Sequence, residues 1–312
     1  MKSFVNRYLA RVAKQESILC VGLDPTPAHV PPQYGTGLSA MEYYLKDVVE
    51  AAATRVPVVK PQYAYYAAMG TDYIKMMIRL IEYAHEKGLL VILDAKRADI
   101  GETMEQYGNE VFGQYGVDAC TFVPYLGATF MPSWLSWLEQ GKMVISMIRT
   151  SNPDGDLIQG LKLENGKLVY EQLAEYVSSW NREVRERTSG IGSVGGVVGA
   201  TFPAEAMRCR AITGADTFFL IPGYGAQGGG AAGAVTSIPT TGDRLMGTVN
   251  SSRGLTRDSW KDKNTGEPKI GDPLELVINA IDFANSDLNG ALSTSTFLGG
   301  RELSSWVKWP KG

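Results

Sequence analysis

The chain has 312 residues, 44% hydrophobic and 20% charged, an ordinary composition for an enzyme with one large core. Thirty Lys and Arg against 33 Asp and Glu leave a net charge of −3 with no block of like charge, which argues against a nucleic-acid or membrane-surface partner. No apolar run reaches membrane-spanning length, and residues 1–7 lack a signal-peptide core, so a cytoplasmic protein is expected.

In chain order, apolar and β-branched runs recur at the spacing of strand–helix units. They cover residues 18–23, 56–59, 89–93, 119–123, 143–148, 195–199, 217–221 and 247–250. Between them, residues 71–87 form an amphipathic pattern that stops at Gly88. Residues 168–187 place Leu173, Tyr176, Val177 and Trp180 on one helical face. Asp272-Pro273 reads as an N-cap and first helical turn, with Leu274, Val277, Ile278 and Ile281 facing inward. Eight strands separated by helices point to a (β/α)8 barrel, the TIM-barrel architecture, as a single domain over 1–312. Its core is expected at about 17–287, with a tail at 288–312 in which Trp306 and Trp309 suggest packing. Asn165-Gly166, inside an alternating segment, predicts a hairpin insertion before the helix at 168. Residues 225–233 are rich in Gly and Ala and predict no long helix.

The central stretch is 89–103. A run suited to a strand buried on both faces ends in Asp94, Lys96 and Asp99, then opens into a helix. Alternation puts Asp94 and Lys96 on the same side, and a short loop would bring Asp99 back toward Lys96. Such a cluster is either an ion-pair network closing one end of the barrel or a catalytic group. Strand ends carrying Asp24, Lys60, Asp94, Lys96, Ser151 and Arg253, with Gln227 in the loop beyond the seventh, favour catalysis, because barrel enzymes build their sites there. The cysteines Cys20, Cys120 and Cys209 are odd in number and far apart, which suits reduced thiols. His29 and His85 are the only histidines, and His85 reads as a surface residue near a helix end. A histidine triad or histidine-rich metal site is therefore not expected. Gly223-Tyr-Gly225-Ala-Gln-Gly228 formally matches a dinucleotide motif, but lacks the following helix and acidic residue. It reads better as a phosphate cradle, with Arg253 gripping the phosphate oxygens.

Asp94-Ala-Lys96-Arg-Ala-Asp99-Ile100-Gly-Glu-Thr103 resembles the signature of the orotidine 5′-monophosphate decarboxylase family, in its longer bacterial and protozoal branch. Gly22-Leu-Asp24-Pro, Val59-Lys60-Pro, Pro124-Tyr-Leu-Gly127, Thr150-Ser151-Asn-Pro153, Gly199-Ala-Thr201, Pro222-Gly-Tyr-Gly-Ala-Gln227 and Ser251-Ser-Arg253-Gly254 follow in the family's order. The resemblance implies a lyase of pyrimidine biosynthesis that makes UMP from orotidine 5′-monophosphate with no metal or other cofactor. It implies Lys60, Asp94, Lys96 and Asp99 as a catalytic tetrad, with Lys96 as proton donor. Asp24 and Thr103 would hold ribose hydroxyls, Ser151 the pyrimidine edge, and Gln227 and Arg253 the phosphate. It further implies a homodimer in which Asp99 and Thr103 enter the partner chain's site. Gln62 and Ala98 depart from the pattern, where Asn and Gly are common. The nearest rival is a metal-dependent sugar-phosphate lyase or decarboxylase on a related barrel, followed by a Schiff-base aldolase; a noncatalytic nucleotide-binding protein is the rival outside enzymes.

Overall fold

Eight parallel strands close on themselves in sequence order. They are β1 (Leu19–Leu23), β2 (Val58–Pro61), β3 (Leu90–Arg97), β4 (Ala119–Phe122), β5 (Met143–Arg149), β6 (Ser193–Val198), β7 (Phe219–Pro222) and β8 (Gly247–Ser251). The structure is a computed structural model, and it describes residues 2–238 and 245–294. The (β/α)8 barrel expected from the pattern is what forms. Ring closure comes from β1 pairing with β8, with Leu19 opposite Val249 and Val21 opposite Ser251. Nearly every strand residue is buried, as parallel strands require when helices cover one face and packed side chains fill the other.

Some elements differ from expectation. A helix, Phe4–Gln15, precedes β1 and plugs the N-terminal end of the barrel. Ser3 caps it by accepting from Asn6 N at 3.1 Å. Phe4 and Tyr8 pack edge-on to Phe218, and the Tyr8 hydroxyl donates to Gly247 O at 2.6 Å. Burying these rings contributes about 1.5–3 kcal/mol per side chain. The helix Val169–Arg187 buries Tyr170, Ala174, Val177 and Val184. Its inward stripe is thus rotated from the expected one, and Tyr176 is exposed while stacking on Trp180. The stripe turns because Asn181 must face inward, where its Oδ1 accepts from Val194 N at the start of β6.

The Asn165-Gly166 hairpin forms as a short excursion: Leu163 N donates to Lys167 O at 2.8 Å, and Gly166 takes φ +84°. Asp272 caps the helix Pro273–Thr294 by accepting from Leu274 N at 2.8 Å. That helix runs beyond 287, so the described part of the expected tail is helical. Trp306 and Trp309 lie outside the described residues. Between β7 and β8, the described residues form one short helix, Ala231–Val235, at the end of the glycine-rich segment. Among the described residues, no helix is long and apolar enough to cross a membrane.

Candidate active site

The C-terminal ends of the strands surround a cavity of about 430 Å³. Asp24, Lys60, Asp94, Lys96, Ser151, Gln227 and Arg253 all line it. Strand register explains the charged wall. Gly22 lies opposite Lys60 across β1 and β2, and Gln62 bridges to Asp94 beside β3, so Asp24 and Asp94 stand two residues beyond the level of Lys60 on the strands that flank it.

Lys60 is buried, with Nζ 3.5 Å from Asp94 Oδ2 and 3.9 Å from Asp24 Oδ1. Burial opposes its charge, but Asp24 and Asp94 outweigh that cost and hold the ammonium above the usual lysine range. Lys96 approaches the other oxygen of Asp94 at 2.6 Å. Burial pushes the Asp94 carboxyl up, yet Lys60 and Lys96 together bring it below the ordinary carboxylate value. Asp24 Oδ1 is buried without a hydrogen-bond partner and faces only the Lys60 ammonium, at 3.9 Å.

Lys96 is held in an unusual backbone. Its φ is +50°, in the left-handed region, and the β3–β4 register shifts between Leu93 and Arg97. A non-glycine residue there costs about 1–3 kcal/mol and persists only when its surroundings impose it. Simple alternation therefore does not explain how Asp94 and Lys96 come to share a face; a bulge re-aims the lysine. Thr121, on β4, secures the arrangement. Its hydroxyl donates to Asp94 Oδ1 at 3.1 Å and accepts from Lys96 N at 2.9 Å. Thr121 escaped the sequence reading, although a hydroxyl inside the apolar run 119–123 was its signal.

The opposite wall is neutral or cationic. Ser151 Oγ donates to Gln227 Oε1 at 2.8 Å, and Ser151 O accepts from Thr201 Oγ1 at 2.9 Å. Gly223, at φ +103°, lies where a Cβ would come 3.2 Å from Ser151 Cβ, so the loop after β7 needs glycine to approach this closely. The loop folds on itself through Gly225 N to Gly229 O at 2.8 Å and Gly229 N to Gly223 O at 3.0 Å. Arg253 is exposed at the edge of the cavity and makes no ion pair among the described residues, leaving its guanidinium available to an anion. Behind Ser151, buried Arg149 stacks on Phe202 and donates to Asp156 Oδ1 at 2.7 Å, while Gln159 accepts from Thr150 N at 3.0 Å. Arg149 and Gln159 were also missed by the sequence reading.

Two expected site residues stand apart. Asp99 does not fold back to Lys96; its Oδ1 accepts from Ile100 N at 2.8 Å, just ahead of the helix Gly101–Gly108. That local turn satisfies the carboxylate and leads the chain outward. Thr103 is exposed on the same helix, and neither residue lines the cavity of its own chain. Gln62 lines the cavity, but its Oε1 accepts from Ala64 N at 2.6 Å, capping the next helix. Among the described residues, no group of three or more His, Cys, Asp and Glu is arranged to hold a metal ion. All three cysteines are free and buried, and burial pushes the Cys20 thiol, nearest the site, up to about 12.

Known proteins share this fold. The model of the orotidine 5′-phosphate decarboxylase/HUMPS family matches residues 17–267. The orotidine 5′-phosphate decarboxylases of Cupriavidus taiwanensis and an Azoarcus species are each 41% identical to the chain, over 81% of it and 89% of their own length. Leishmania donovani OMP decarboxylase superposes with a TM-score of 0.68 at 26% identity, covering 89% of this chain and 98% of that one. Leishmania donovani UMP synthase gives 0.74 at 27% identity, over 95% of this chain and 58% of the synthase. The chain therefore belongs to the orotidine 5′-phosphate decarboxylase family.

Proposed function

We propose that the protein decarboxylates orotidine 5′-monophosphate to uridine 5′-monophosphate and CO2, the last step of de novo pyrimidine nucleotide synthesis, in the cytoplasm and without a cofactor. The observation that carries this reading is the charge order Asp24, Lys60, Asp94, Lys96 along one wall of a cavity whose other wall offers Arg253 and a folded glycine loop. A nucleotide suits that polarity. Arg253 and Gln227 take its phosphate, Asp24 a ribose hydroxyl and Ser151 the pyrimidine edge.

When the bond from C6 to the carboxylate breaks, its electron pair stays on C6 in the ring plane, where the π-system cannot spread it. An ammonium fixed beside C6 stabilises that charge as it grows and then supplies the proton. Lys96 takes this role, while Lys60 keeps Asp94 ionised and Asp94 holds the Lys96 ammonium in place. At an effective dielectric of ~20, one such contact near ~4 Å contributes roughly 4 kcal/mol. Single contacts cannot supply the whole barrier reduction, so binding energy from the distant phosphate must also be used to organise the site.

Asp99 and Thr103 act in the partner chain's site of a homodimer. Exposed Ile100, Tyr125, Leu126, Leu157 and Ile158 follow the consecutive strands β3, β4 and β5 at the same end of the barrel, and this apolar edge supports that assembly. The rival metal-dependent lyase would want an acidic ligand where β2 carries the Lys60 ammonium. A Schiff-base aldolase needs a neutral lysine, which these carboxylates disfavour.

Turnover followed by loss of orotate absorbance tests the reaction. Decarboxylation indifferent to chelator and to borohydride supports it; no absorbance change, inhibition by chelator, or borohydride trapping overturns it. Light scattering should give a dimer, and a monomer that is fully active would remove the shared site.

A further inference from the structure

We infer that Arg97 and Glu110 form a clamp that holds Lys96 in its left-handed conformation and fixes the helix bearing Thr103 to the same strand end. The inference rests on the role proposed above for Lys96. Arg97 follows Lys96 directly and does not line the cavity. Its guanidinium grips Glu110 bidentately, at 2.9 Å through Nε and 2.6 Å through Nη2. It also lies between two aromatic rings, 4.3 Å from the Tyr63 centroid and 4.9 Å from that of Tyr107. Glu110 belongs to a π-helical turn, Asn109–Gln114, that continues the helix Gly101–Gly108, and its Oε1 also accepts from the Tyr115 hydroxyl at 2.9 Å. The segment between these residues, which includes Asp99 and Thr103, is thus tied at both ends. Arg97 O accepts from Val123 N at 3.0 Å, so the backbone after Lys96 is pinned by β4 as firmly as Thr121 pins Lys96 N. With both neighbours fixed, the peptide between them is left with a positive φ, and the lysine side chain turns toward Asp94. Arg97 and Glu110 are positioning residues, since they act on the reaction through Lys96.

Arg97→Lys keeps the charge and loses the fork, and Glu110→Gln keeps the shape and loses the charge. In each variant, kcat for orotidine 5′-monophosphate should fall about 30- to 100-fold, as misplacement by about an ångström can do. KM and the Kd for uridine 5′-monophosphate should stay within about threefold. The Lys96 13Cα shift should leave the left-handed range. The double variant should lose no more than the worse single one, because the pair acts as one unit. If Arg97→Lys does not fold, Tyr115→Phe, which removes only the phenol donor to Glu110, carries the same test with a loss of about three- to tenfold in kcat. A kcat held within about twofold of the parent, a loss confined to KM, or an unchanged Lys96 shift overturns the clamp. A parent protein that does not turn over substrate overturns the proposed function instead, and the Lys96 shift then still decides the clamp.

Discussion

Thr121 donates its hydroxyl hydrogen to Asp94 Oδ1 at 3.1 Å, on the same carboxylate oxygen that receives the Lys96 ammonium. One neutral side chain therefore touches the acid and, through Lys96 N, the backbone of the base. Thr121→Val keeps the volume but leaves Lys96 N without its acceptor and takes one donor from Asp94. An unsatisfied buried partner costs about 1–3 kcal/mol, so kcat should fall roughly 5- to 150-fold, with KM changed less, and Thr121→Ser should recover most of the loss. Steady-state kinetics on the three proteins checks this. Equal kcat in all of them would show that Thr121 is a spectator.

Arg253 stands at the rim with no ion-pair partner among the described residues, while Gln227 is already engaged by Ser151. Arg253→Ala should mainly weaken binding, raising KM and the product Kd by roughly 10- to 150-fold, the worth of one charge-assisted contact at about 1.5–3 kcal/mol. Competition between inorganic phosphate and nucleotide measures it. An unchanged KM with the phosphorylated substrate removes Arg253 from the phosphate site.

At the other end of the barrel, Asp118 is buried, with Arg7 at 2.6 Å, His85 at 2.9 Å and Val91 N at 2.9 Å. Burial raises its carboxyl, but His85 and Arg7 reverse the direction and leave it below the ordinary value. A carboxylate depressed on folding stabilises the fold above its unfolded value of about 3.9, and that contribution fades as pH falls through the folded value. Asp118→Asn should cost about 1–3 kcal/mol at neutral pH, because its partners are partly exposed and stay solvated. The gap between variant and parent should narrow below about pH 4. Urea denaturation at pH 7 and pH 3.5 checks the sign, and a gap that widens in acid contradicts it.

The barrel was readable because each strand is a short, largely apolar run closed by a polar residue, Pro or Gly, and parallel strands covered on both faces leave that mark without any long-range information. Lys60, Asp94 and Lys96 could be read for the same reason, since they stand where apolar runs stop. What the sequence could not convey was how the cluster is held. Lys96 reaches Asp94 through a bulge and a positive φ, and both depend on a hydroxyl a strand away and an ion pair thirteen residues along. The helix Phe4–Gln15 carries its cap and stripe in Ser3, Phe4, Val5, Tyr8 and Val12, but it precedes β1 and so stands outside the strand–helix repeat that marks the other elements. The rotated stripe at 169–187 shows a different limit: a polar Asn181 bonding to a strand end overrides the apolar count. Asp99 satisfies its own turn, so spacing alone could not place it.

In the reaction proposed above, the Lys96 ammonium meets the charge forming on C6. Both lysines line the cavity, but Lys60 is buried between two carboxylates whereas the Lys96 side chain is 45% exposed, which favours Lys96 as the donor. The most direct measurement is single-turnover decarboxylation by Lys96→Ala beside its binding of uridine 5′-monophosphate. Turnover should fall at least about 10³-fold while product affinity stays within about tenfold. Near-normal turnover by that variant would contradict the account.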